Sequence, residues 1–247
     1  MEHLSIHAFQ VVSTNKMFPD DGRNHHIGVA NEHSTINIVN TNPKLQAIHE
    51  KLGYLVHKGG TQNNADAVGR DTGIKVSMKN KESISGSFDW KNMSLEHDEA
   101  VRDVHISIIR YYRRFQEFPE TEKEVRAMYK TLFNSVLGKL DTKEILGRVL
   151  DAHDSEWILI HFRTRREMIL FHRDELAELW KNPGECIVRP GCASGKIEGT
   201  PNLRMRVCLN NGIRALIGRG SSLCIKVQQD SPMKMIKELK TTIVCAY

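Results

Sequence analysis

The chain has 247 residues, with 40% hydrophobic and 26% charged side chains; that is ordinary globular composition, long enough to bury a core without disulfide staples. A net charge of +5 favours an acidic partner but is also common in proteins that never meet nucleic acid. The five cysteines, Cys186, Cys192, Cys208, Cys224 and Cys245, are odd in number and form no CxxC, which points to reduced thiols and against a zinc knuckle.

In chain order, residues 1–42 are polar and rich in Asn, His, Ser and Thr. They read as an irregular arm with short strands at Ile27–Ala30 and Thr35–Val39. From Pro43 the spacing of Leu45, Ile48 and Leu52 predicts a helix that Gly53 ends. Tyr54–His57 reads as a strand. Ala65–Val68 and Gly73–Lys81 flank a turn at Gly69–Thr72 and predict a hairpin. On its second strand Ile74, Val76 and Met78 form an apolar face, opposite Lys75, Ser77, Lys79 and Lys81.

Residues 95–153 read as a helical block, with helices around Val101–Tyr112, after Pro119 and after the cap Asp141. The chain then becomes β-rich, with strands expected at Glu156–Phe162, Glu167–His172, Leu203–Leu209 and Leu223–Gln228. Short helices are expected at Asp174–Lys181 and Met233–Lys240. There is no internal repeat, so one α+β domain over 1–247 is the simplest organisation: arm 1–42, hairpin core 43–94, helical block 95–153 and β-rich part 154–247. No apolar run approaches the roughly 20 residues of a membrane span. The N-terminus lacks the features of a secretory signal, so a cytoplasmic or nuclear location is expected.

The stretch from Pro43 to Trp90 carries the clearest chemistry. It sets Glu50 on a helix, Asp66 on a strand and Ser77-x-Lys79 on the next. Residues two apart on a strand share a face, so Ser77 and Lys79 look into one site and Asp66 can join them from the neighbouring strand. An acid, a lysine and a hard-oxygen metal site are what phosphodiester cleavage requires. A solvated strand edge, where lysines discourage aggregation, would look the same in sequence.

The order resembles the PD-(D/E)xK nuclease superfamily, which includes restriction enzymes and Holliday-junction resolvases. The resemblance covers about 40 residues, 44–81. It implies a restriction-endonuclease-like core, a central mixed β-sheet flanked by helices, here with a helical insertion. By position Glu50 looks like the family's helix acid, Asp66 like the first motif acid and Lys79 like the motif lysine. Ser77 stands where the family has its second acid, and a hydroxyl is a weaker metal ligand than a carboxylate. The implied activity is Mg²⁺- or Mn²⁺-dependent cleavage of DNA, in a restriction-type version if the β-rich part reads sequence. Asp66 and Glu50 would be metal ligands, RNA is the other polymer to consider, and a homodimer is compatible with the reading.

Basic residues recur downstream. Arg163, Arg165 and Arg166 cluster between two strands, Arg204 and Arg206 alternate on one strand, and Arg214 and Arg219 follow. They are the expected nucleic-acid contacts, as are the arginines of the Arg110–Arg114 segment. Phe88 and Trp90 suit a core better than a stacking platform. The histidines lack any H-E-x-x-H, and no G-x-S-x-G elbow supports a serine hydrolase. The rival reading is a non-catalytic nucleic-acid-binding protein on a nuclease-like scaffold; an unrelated enzyme is a third.

Overall fold

The computed structural model describes residues 23–59, 65–82, 88–94, 137–138, 140–152, 154–189, 194–209, 223–236, 238–240 and 242–247. The helices expected within 95–136, the Arg110–Arg114 segment, Arg214, Arg219 and the first 22 residues of the arm lie outside them. The fold is α+β and is built around two sheets.

Helix α1 runs Arg23–Thr41. This corrects the expected arm with short strands. Thr35, Ile36 and Val39 are buried together, a helical spacing, and the β-branched residues that suggested strands are held by packing instead. Its end is tied down by Asn40, whose side chain accepts from Leu55 N and donates to Leu55 O, both at 2.9 Å. A 3-10 turn at Pro43–Leu45, capped by Asn42, leads into α2 (Gln46–Leu52). Gly53 ends α2 at φ +74°, a conformation that favours glycine.

Strands β1 (Leu55–His57), β2 (Ala67–Gly69) and β3 (Lys75–Lys81) form an antiparallel meander. β4 (Phe88–Ser94) then leaves for the second sheet. Helix α3 (Thr142–Asp151) is capped as expected by Asp141, which accepts from Glu144 N at 3.0 Å. Next come β5 (Trp157–Phe162), β6 (Glu167–His172) and α4 (Asp174–Leu179). Strands β7 (Cys186–Val188), β8 (Ser194–Ile197), β9 (Leu203–Leu209) and β10 (Leu223–Gln229) follow, with helix α5 (Pro232–Ile236) and strand β11 (Ile243–Ala246) last.

The first sheet has the order β1-β2-β3-β5-β6-β11; it is mixed, because β3 and β5 run parallel. The second, β4-β10-β9-β8-β7, is antiparallel throughout. Alternation along β5 splits the core in two. Trp157 and Leu159 join the residues of α1 and α2 on one face. Ile158, Ile160 and Phe162 join α3, α4 and the second sheet on the other. Trp90 lies in the latter cluster, edge-on to Phe171 and Trp180, so it is a core residue.

Candidate functional site

The register decides which side chains meet. Ser77 pairs with Ile158 and Lys79 with Ile160, so both lie on the sheet face that looks toward α3 and the second sheet. Asp66 enters β2 opposite that strand: its N–H donates to Val76 O at 3.0 Å. Its Oδ2 accepts from Met78 N–H at 2.6 Å and from the Ser77 hydroxyl at 3.2 Å. Asp66, Ser77 and Lys79 therefore share one face. Ser77 is buried at 3% exposure, while Asp66 and Lys79 are partly exposed.

Glu50 is placed elsewhere. α2 packs through Ile48 and Leu52 onto the opposite face of the same sheet, and the exposed Glu50 accepts from Gln46 Nε2 at 2.7 Å. The sheet stands between it and Asp66. Asp71 sits exposed at the hairpin turn beside Arg70. Among the described residues, no group of three or more His, Cys, Asp and Glu is placed to hold a metal ion.

Further along the Asp66 face, β3 ends at Lys81. Burial pushes its ammonium below the ordinary lysine value; the Asp89 carboxylate opposes that shift and the Lys79 charge adds to it. Asp89, on β4, accepts from Lys226 Nζ on β10 at 2.9 Å. Asp89 thus stands between Lys81 of β3 and Lys226 of β10, on the edge strand of the second sheet. Sequence reasoning missed Asp89 because nothing local shows that β4 pairs with a strand more than a hundred residues later.

It also missed a carboxylate–imidazole pair on the other face. Glu32 of α1 lies 2.9 Å from His57 Nε2, with the ring of His33 against that of His57. Near it is a buried network. His161 Nδ1 faces Thr35 Oγ1 at 2.9 Å and Asn80 Oδ1 at 3.2 Å, and its Nε2 faces the Tyr247 hydroxyl at 2.5 Å. Burial lowers the His161 pKa to about 4, so the ring is neutral near pH 7.

The predicted phosphate contacts fall in two places. Arg163, Arg165 and Arg166 form the β5–β6 turn, and each has an internal neighbour. Arg163 donates to Asn31 and Glu82, Arg165 pairs with Glu167 at 3.3 Å, and Arg166, at φ +51°, lies over the Tyr247 ring. Arg204 and Arg206 lie side by side on β9 in the second sheet, with Arg204 Nε 2.5 Å from Asp230.

No known protein family matches the chain. No curated protein sequence matches it either. No described helix is long and apolar enough to cross a membrane.

Proposed function

We propose that the protein is a metal-dependent endonuclease that cleaves phosphodiester bonds of DNA. The observation that carries the reading is the convergence of Asp66, Ser77 and Lys79 on one face of the hairpin, in the order the PD-(D/E)xK resemblance implies. The Met78 N–H and the Ser77 hydroxyl fix the Asp66 carboxylate, so its position costs nothing to organise when substrate arrives. Mg²⁺ is commonly held by one or two carboxylates plus waters and substrate phosphate oxygens, and a single Asp66 suits that mode. The ion supplies Lewis acidity at the phosphoryl group. Lys79, two residues along the same face from Ser77, places positive charge where the phosphoryl oxygens become more negative and orients the attacking water. Glu50 has no part in this arrangement.

One observation favours the rival, a binding protein on the same scaffold. Asp66 Oδ2 already takes two hydrogen bonds from its own hairpin, and Ser77 adds no second carboxylate. Nicking of supercoiled plasmid in Mg²⁺ or Mn²⁺ separates the two. Asp66→Asn, which keeps an acceptor for the Met78 N–H and the Ser77 hydroxyl, should abolish nicking with little change in melting temperature, and Lys79→Ala should lose activity with metal binding kept. Ser77→Asp brings a second carboxylate against Asp66, so it should melt lower than wild type in EDTA and recover with Mg²⁺ as the ion screens the pair. A wild-type protein that nicks nothing, with a Ser77→Asp variant indifferent to Mg²⁺, leaves the binding scaffold as the reading.

A further inference from the structure

We infer that the outer face of the five-stranded sheet is a docking surface for the phosphate backbone of nucleic acid, gripping the polymer without reading its bases. The inference rests on the nucleic-acid half of the proposed function and not on cleavage.

Leu203 and Met205 of β9 and Val227 of β10 are buried between the sheets. By alternation, Arg204, Arg206, Lys226 and Gln228 face away from the core. The register draws them into two rows. Lys196 of β8 stands opposite Arg204, which stands opposite Gln228; Ser194 stands opposite Arg206, which stands opposite Lys226. Arg189, one residue beyond β7, is exposed at the same edge.

Two of these cross-strand pairs, Lys196–Arg204 and Arg206–Lys226, set like charges directly opposite each other. Such pairs destabilise a sheet. Asp230 answers Arg204 at 2.5 Å and Asp89 answers Lys226 at 2.9 Å. Lys196 is exposed, and Arg206 Nε is buried with no hydrogen-bond partner among the described residues. A polyanion lying along the rows would relieve both repulsions.

The chemistry favours a phosphate backbone over an acidic protein. Protein interfaces draw most of their energy from central aromatic and apolar anchors. Among the described side chains of these rows the large apolar one is Ile187, on the edge strand opposite Lys196. Phosphate contacts need only spaced cations and hydrogen-bond donors. The Lys226–Asp89 pair ties the surface to β4, the strand that follows β3 in the chain.

The test is fluorescence anisotropy of a short labelled DNA duplex with the full chain in EDTA, across a salt series. The Lys196→Gln/Arg206→Gln double variant should lower the slope of log affinity against log salt by about 1.8, since each phosphate contact contributes ~0.9. Lys143→Gln, an exposed lysine on α3, should leave the slope unchanged. Loss of two like-charge oppositions should hold or raise the melting temperature of the double variant. Should it fall instead, Lys196→Gln alone, at an exposed position, carries the test with a decrement of about 0.9. An unchanged slope overturns the surface, and so does polyglutamate binding as tightly as duplex. The two readings fail separately. Wild-type nicking with no slope change removes the surface and keeps the nuclease. A slope change with no nicking does the reverse.

Discussion

At the scale of single residues, the chain buries polar side chains where it can satisfy them. His161 is 2% exposed, and its hydrogen-bond network fixes its tautomer. Asn80 Oδ1 can only accept, so the Nδ1 proton points toward it and Thr35, and Nε2 is left to accept from the Tyr247 hydroxyl. Burial lowers the folded pKa from 6.5 to about 4. Between those values the unfolded chain binds the extra proton, so stability is full above about pH 6.5 and is lost as pH falls toward 4. The shift corresponds to roughly 3 kcal/mol at 1.36 kcal/mol per unit. Urea unfolding from pH 7 to 4 should therefore show a shallower loss of stability for His161→Gln than for wild type. Parallel curves would mean that the folded-state pKa of His161 is not lowered.

At the scale of elements, the hairpin is held against the end of α2 by a close approach that glycine makes possible. A Cβ on Gly69 would lie 2.0 Å from Leu52 O, and Thr72 Oγ1 donates to that same carbonyl at 2.7 Å. Gly147, inside α3, has nothing within 4 Å of its would-be Cβ. The same substitution should then act with opposite sign at the two positions. Gly69→Ala should destabilise by about 1–3 kcal/mol, because backbone must move. Gly147→Ala should stabilise by about 0.5–1 kcal/mol, because alanine is the better helix former. Thermal melts of the two variants decide it; a neutral Gly69→Ala would show that α2 and the hairpin are not locked together. These local contacts also mark what the sequence could reveal. The α2 stop at Gly53, the alternation along β3 and the Asp141 cap are short-range signals, and the elements that carry them stand where expected. The α1 helix was illegible because its buried positions hold Thr35, Ile36 and Val39, residues of strand character that only the sheet beneath makes helical. The three-residue strands β1, β2 and β7 are set by pairing more than by composition, and β11 is a short edge strand.

At the scale of the molecule, the site face depends on how the two sheets share charge. Sequence order placed Asp66, Ser77 and Lys79 together because they belong to one hairpin. It could not place Asp89, which reaches Lys81 at the end of β3 from a strand paired with distant β10. Lys81 reports on that union: burial lowers its pKa, Asp89 holds it up from the second sheet, and Lys79 pushes it down from its own strand. Removing either neighbour should thus move it in a known direction. In Asp89→Asn the carboxylate is gone, the ammonium loses support, and Lys81 should deprotonate at lower pH than in wild type. In Lys79→Gln a like charge is gone, and Lys81 should deprotonate at higher pH. Amine acylation across a pH series, with the Lys81 peptide quantified by mass spectrometry, reads both shifts, since only the neutral amine reacts. Opposite displacements of the labelling midpoint are expected. If neither variant moves it, the second sheet does not tune the cations at the end of β3. The polymer surface and the hairpin site would then lack electrostatic coupling.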